Sequence, residues 1–232
     1  MSNMNLHFLA GLLHIADPTL PIGGYSHSNG LETYVQKRIV NNAKTAKEFV
    51  ENMLIYNLKY NDGALMRFAY EATKKEDLAS IIKFDQECNA IKCPKEIRQA
   101  SQKLGLRLIK IFKRREHFSF MEAYEEVIRK GEVNSHYCIV FGIYTALMNI
   151  PLYEALLGFY YTSVAGMITN AVKLVPLGQL DGQDILFELY SVMEQTAHET
   201  MEIDRELVGI CNTSFDIHCM QHERLYSRLY MS

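Results

Sequence analysis

Apolar residues recur at helical spacing along almost the whole chain, and this restricts the fold more than any other feature. Leu6, Leu9, Leu12, Leu13 and Ala16 mark an opening helix that stops at Asp17-Pro18. Leu31 to Gln36 forms a short helix. Thr45 and Glu48 stand at capping-box spacing before Phe49, Met53, Leu54, Tyr56 and Leu58. Asn61-Asp62-Gly63 allows a break or a continuation into Leu65, Met66, Phe68 and Ala69. Asp77 caps a helix carrying Leu78, Ile81, Ile82 and Phe84, and Pro94 suits the first turn of the next, with Ile97, Leu104, Leu108 and Ile111 as its stripe. Ser119 and Glu122 repeat the capping-box spacing, with Gly131 as the stop. Helices from Ser135 to Met148 and from Pro151 to just before Pro176 follow, and Asp181 caps one running through Ile185, Leu186, Leu189, Val192 and Met193. No alternating run of β-branched residues lies between turn signals. The expectation is an all-α fold, a single-domain helical bundle spanning 1–232 with roughly eight to ten helices.

One stretch breaks the rhythm. Asp17 to Glu32 reads DPTLPIGGYSHSNGLE and holds two of the five prolines in the chain, with Gly23, Gly24 and Gly30 close behind. Proline fixes φ and removes a donor, while glycine permits positive φ, so an ordered irregular segment is expected here. Leu20, Ile22, Tyr25 and Leu31 make it partly apolar, unlike an ordinary surface loop. Irregular segments on a rigid scaffold often carry function.

Bulk properties exclude several classes. Net charge is −3, so no global basic field exists for nucleic acid or an anionic membrane. Five cysteines with no CxxC, and no basic n-region before the first apolar run, point to free thiols in reducing cytosol. Tyr137 to Val175 is long and apolar, but Asn149-Ile150-Pro151 splits it and Glu154, Asn170 and Lys173 interrupt the rest. A buried helix fits better than a membrane span.

Catalytic templates fail in turn. Gly23-Gly24-Tyr25-Ser26 lacks the phosphate-loop lysine, and GYSHS misses the nucleophile elbow. Ser26 beside His27 reads as a turn serine and an exposed histidine. His218 and His222 stand at i, i+4 with Cys219 between, half of a zinc or nickel site that lacks its other half, which makes them weak metal candidates. Lys110, Lys113, Arg114 and Arg115 gather at a helix end, where cations complement the helix dipole. No catalytic centre and no stably bound cofactor are expected.

Two features are left without an ordinary explanation. The helix after Pro151 carries small residues at Ala155, Gly158, Ser163, Ala165 and Gly166 and aromatics at Tyr153, Phe159, Tyr160 and Tyr161. Glycine in a helix interior costs about 1 kcal/mol relative to alanine, which close approach of an internal helix or a second subunit would offset. The terminus, 222–232, holds Arg224, Leu225, Tyr226, Arg228, Leu229 and Tyr230, types enriched at interface hot spots, where most tails are polar. A helical peptide entering a groove and a last helix packed on its own domain both fit.

These residues, taken together, resemble the UreF family of urease accessory proteins. Asp17 to Glu32 is similar to the family's N-terminal signature, and Leu174 to Gln183 (LVPLGQLDGQ) to its second. Ala100 to Gly105 (ASQKLG) and Leu225 to Tyr230 (LYSRLY) also fit. Glu71 to Lys92 matches only in helical character. The resemblance implies a non-enzymatic, cytoplasmic, all-α maturation factor that forms a homodimer. It implies binding to UreD (UreH in some systems) and recruitment or modulation of the nickel-binding GTPase UreG, so that the complex handles nickel and loads it into apo-urease. By resemblance, partner binding falls on Pro21, Gly23, Tyr25, Ser26, His27, Gly30 and Glu32 and on Arg224, Leu225, Tyr226, Ser227, Arg228, Leu229 and Tyr230. The dimer contacts fall on Gly158, Tyr161 and Ala165. The alternative is a nickel carrier using His218, Cys219 and His222 directly.

Overall fold

The computed structural model describes residues 7–114 and 117–231; Leu6, Arg115 and Ser232 lie outside the described residues. Every regular element among them is helical: α1 His7–Ile15, α2 Leu31–Gln36, α3 Ala43–Asn52, α4 Ala64–Lys74, α5 Leu78–Ile91, α6 Lys95–Phe112 and α7 Ser119–Arg129. Then come α8 Tyr137–Leu147, α9 Leu152–Leu174, α10 Gln179–Glu188, α11 Tyr190–Met201 and α12 Thr213–His222. The expected all-α bundle is what forms.

Helix α8 is the hub. Nine successive residues, Cys138 to Ala146, are buried, and a helix apolar all round can only be satisfied by neighbours on every side. Helices α4, α6 and α9 supply those neighbours. Where α6 meets the turn before α8, Gly105 lies so close to the Ser135 carbonyl that a Cβ there would overlap its oxygen. Asp85 of α5 ties the same turn down, accepting from the amides of Asn134 (2.6 Å) and His136 (3.0 Å) and from the Tyr124 hydroxyl (2.8 Å).

Asn61-Asp62-Gly63 proves to be a continuation, through a π-helical stretch, Met53–Gly63, that joins α3 to α4. The Ala64 amide reaches back five residues to the Lys59 carbonyl, the wide-turn bonding of a π-helix. A side chain on Gly63 would collide with the Tyr160 hydroxyl, which is bonded to Thr200 Oγ1 at 2.6 Å.

Three caps differ in detail from expectation. Asn42, not Thr45, caps α3; Thr45 is the third helical residue and completes the box from the other side, its Oγ1 accepting from the Asn42 amide at 3.2 Å. Phe118 precedes α7, so Ser119 is already helical, and Glu122 faces His117 at 3.4 Å instead of closing a box. Asp181 likewise sits one turn inside α10, accepting from the Gly178 amide at 2.8 Å. Leu189 divides the expected single helix into α10 and α11. Asp77 caps α5 as expected, through the Ser80 amide at 3.0 Å.

Candidate functional site

The irregular segment takes its shape from two left-handed glycines. Gly23 (φ 89°) leads into a 3-10 turn, Gly24–Ser26, and Gly30 (φ 80°) launches α2. Both are also packed tightly. A Cβ on Gly23 would strike the Arg107 guanidinium, and one on Gly30 would lie 2.6 Å from Cys219 Sγ. Ser26 is the expected turn serine, its hydroxyl donating to the Gly23 carbonyl at 2.8 Å. His27, expected to be exposed, is buried instead. Burial, with Lys103 and Arg107 nearby, holds its ring below the usual histidine range. Its carbonyl accepts from Asn170 Nδ2 at 2.8 Å, tying the segment to α9.

Glu32 is the centre of the arrangement. It is 4% exposed, in the first turn of α2. Its carboxylate accepts from the Leu229 amide (2.7 Å), the Tyr230 amide (3.1 Å) and His222 Nε2 (3.1 Å). Glu96, in the first turn of α6, accepts from Arg228 (2.7 Å) and faces His222 Nδ1 (2.7 Å). Both His222 ring nitrogens therefore meet carboxylate oxygens. Two further bonds hold the chain end, from Gln36 Nε2 to the Ser227 carbonyl (2.9 Å) and from the Met231 amide to the Ser26 carbonyl (2.9 Å).

The C-terminal segment thus lies on α2 and the 3-10 turn of its own chain. It runs there without regular structure after α12, so residues 223–231 form neither the helical peptide nor the packed last helix that the spacing allowed. Tyr230 is buried and Leu225 half-buried, whereas Arg224, Tyr226, Ser227, Arg228 and Leu229 are exposed. From the irregular segment only Pro21 and Tyr25 among the sequence candidates are exposed; Gly23, His27, Gly30 and Glu32 are buried. Tyr25, Tyr226, Leu229 and Met231 are exposed on these two segments, Tyr226 fully and Tyr25 at 73%, and the Met231–Ser26 bond joins the segments next to Tyr25.

The three weak metal candidates do not converge. His222 is engaged by Glu32 and Glu96, Cys219 is buried with its thiol pushed well up, and His218 stacks on Tyr34 at 4.2 Å. Among the described residues no group of three or more His, Cys, Asp or Glu is placed to hold a metal ion. Gly158 is covered from within, since a Cβ there would lie 2.6 Å from Leu12 Cδ1 of α1. Tyr161 and Ala165 are half-buried. Beside them α1, α9 and α11 enclose an apolar groove of about 520 Å³, walled by Leu13, Leu157, Tyr161, Tyr190 and Met193. Beneath the irregular segment lies a second cavity of about 220 Å³. On its wall Lys92 meets Asp62 at 2.7 Å; burial alone would push Lys92 down, but the facing carboxylate more than offsets it. No helix among the described residues is long and apolar enough to cross a membrane, consistent with α8 and α9 as core helices.

Glu96, Gln36 and Asn170 were not among the residues that the sequence marked for the site. Glu96 looks like an ordinary first-turn acid, and its partners lie 126 and 132 residues away.

Fold and site together define an all-α protein whose C-terminal segment is held against an irregular N-terminal one by the carboxylates of Glu32 and Glu96. A family model described as UreF matches residues 40–190. A urease accessory protein UreF from Actinobacillus pleuropneumoniae is 44% identical over 224 residues, covering 97% of this chain and 99% of the relative. One from Haemophilus influenzae is 44% identical over 230 residues (99% and 98%), and one from Streptococcus salivarius 29% identical over 231 (100% and 98%). The chain belongs to the UreF family of urease accessory proteins, which are non-catalytic maturation factors.

Proposed function

We propose that this chain is the scaffold of a cytoplasmic urease-maturation assembly: it binds UreD (UreH), and the pair recruits and modulates the GTPase UreG so that nickel enters apo-urease. The observation that carries this reading is the clamped terminus. Glu32 and Glu96 engage the 229–230 amides, His222 and Arg228, leaving Tyr226 and Leu229 exposed, as Tyr25 is. An apolar surface held in place in advance loses less entropy on binding than a free tail would. In this role the buried Gly23, Gly30 and Glu32 act by positioning the exposed residues.

The test is co-purification with UreD/UreH. Deleting Arg224 to Ser232, or replacing Tyr226 by Ala and Leu229 by Arg together, should abolish capture while helical circular dichroism is retained. The double variant leaves the Glu32 bonds in place, so its undiminished capture would refute the reading.

The homodimer expected from the family is proposed to form over α1. Leu9 and Leu13 are exposed, Leu13 at 66%, beside the groove that Tyr161 and Tyr190 wall. Sedimentation showing only monomer at micromolar concentration would exclude it. Nickel is proposed to pass through the complex and not to reside on His218, Cys219 and His222, a reading that stoichiometric nickel binding by the isolated chain in calorimetry would overturn.

A further inference from the structure

Lys110 and Arg114 read in sequence as cations at a helix end, but the structure places them in a longer row. Lys103, Arg107, Lys110 and Arg114 follow one another at i, i+4, i+7 and i+11 along α6 and the turn after it, and all four are exposed. That spacing keeps them on one face, over about 16 Å at 1.5 Å per residue. Among the described residues none of the four has a carboxylate partner, whereas the neighbouring Lys113 is paired with Glu125 at 2.6 Å. An uncompensated cationic row is unexpected on a chain of net charge −3.

The row also has a fixed location. Arg107 donates to the Ile22 carbonyl at 3.2 Å, inside the irregular segment, and Lys103 and Arg107 both stand close enough to His27 to act on its ring. The cations therefore border the surface that carries Pro21 and Tyr25. Leu106, 48% exposed, follows on the same helix.

We infer that the α6 row is the electrostatic half of the partner-docking surface, and that it receives a protein face bearing a row of carboxylates beside an apolar spot. This rests on the proposed function for the partner's identity, UreD/UreH. A protein fits better than a nucleic acid. The cations are mixed with isolated apolar side chains, Pro21, Tyr25 and Leu106, as in protein interfaces, and among the described residues no succession of aromatics beside them offers bases a stack. Charges at the edge of an apolar contact act chiefly on the association rate.

The experiment uses the triple reversal K103E/K110E/R114E, with K103Q/K110Q/R114Q as a milder second variant. Arg107 is kept because it holds Ile22. Association with purified UreD/UreH is followed at low and at high salt. The wild-type rate should fall at least about tenfold with salt, and the reversal should be at least about tenfold slower at low salt, nearly salt-independent, and unchanged in dissociation rate. The Gln variant should lie between. Equal association rates for all three proteins at low salt would overturn the inference. A second arm titrates each protein with poly-L-glutamate, poly-uridylate and phosphatidylserine vesicles. Binding of poly-L-glutamate by wild type and not by the reversal supports the assignment. Equal or absent poly-L-glutamate binding refutes the row as a carboxylate site, and tighter binding to poly-uridylate or vesicles refutes a protein partner. Wild type that binds no UreD/UreH would instead overturn the proposed function, with the second arm still deciding the row.

Discussion

Replacing Glu32 by Gln should release the C-terminal segment while leaving the bundle folded. The carboxylate presents oxygen to three donors: one oxygen to the Leu229 amide, the other to the Tyr230 amide and His222 Nε2. An amide has one oxygen and one NH2. Whichever way it turns, its NH2 points at a buried donor, either Leu229 or the Tyr230–His222 pair. One unsatisfied buried donor costs about 1–3 kcal/mol. The substitution also replaces one of the two carboxylates facing His222 by a neutral amide. Hydrogen bonds to a charged acceptor contribute about 1.5–3 kcal/mol each, and relaxation of the segment limits their sum, so about 2–4 kcal/mol of docking free energy should be lost. Because the core does not depend on those bonds, the loss should appear as local opening of the segment and of the His222 end of α12. Hydrogen exchange at the Leu229, Tyr230 and Met231 amides should accelerate by about 30-fold or more, with α8 amides unchanged. Unaltered exchange at Leu229 and Tyr230 would show that the carboxylate is not what holds the segment.

The buried histidine behind α8 makes stability depend on acid. Burial first, then Lys92, holds His136 down at about 3, from an ordinary value of 6.5. A depressed histidine contributes stability that is complete above about pH 6.5 and is lost as pH falls toward 3. By pH 5 the loss from this ring should be about 2 kcal/mol, measurable by urea unfolding. Asp85, raised by its burial, acts in the opposite sense at the acid end of that window. NMR showing the His136 ring titrating near pH 6.5 would contradict this account. Two glycine substitutions separate close approach from helix propensity. Gly105→Ala, against the Ser135 carbonyl, should lower Tm by several degrees, about 1–3 kcal/mol of overpacking. Gly166→Ala, with nothing near its Cβ position, should be neutral or raise Tm slightly, and equal effects at the two positions would contradict the packing argument.

The helical elements were legible because their signals are local. The periodicity of Leu6 to Ala16, the Asp77 cap and the Pro151 start each depend on residues within a turn or two, and each reappears in the structure wherever the residues are described. The errors in capping have the same local origin. Thr45 and Asp181 carry side chains suited to either end of a box, and spacing alone does not say which end. The irregular nature of 17–32 followed from proline and glycine geometry in the same way.

By itself, then, the sequence determined an all-α chain with one irregular segment near its start and an unusually apolar end. Tertiary structure decided what those two segments do to each other. Glu32 and Glu96 look like ordinary first-turn acids until the fold brings His222, Arg228 and the 229–230 amides against them across 126–198 residues. It also decided that Gly158 serves α1 of its own chain, and that scattered lysines and arginines of α6 form a row beside Tyr25. Helices arise from bonds between near neighbours, which a linear pattern records. Buried charge networks and surface rows arise from packing between distant elements, and no local spacing encodes which elements will meet.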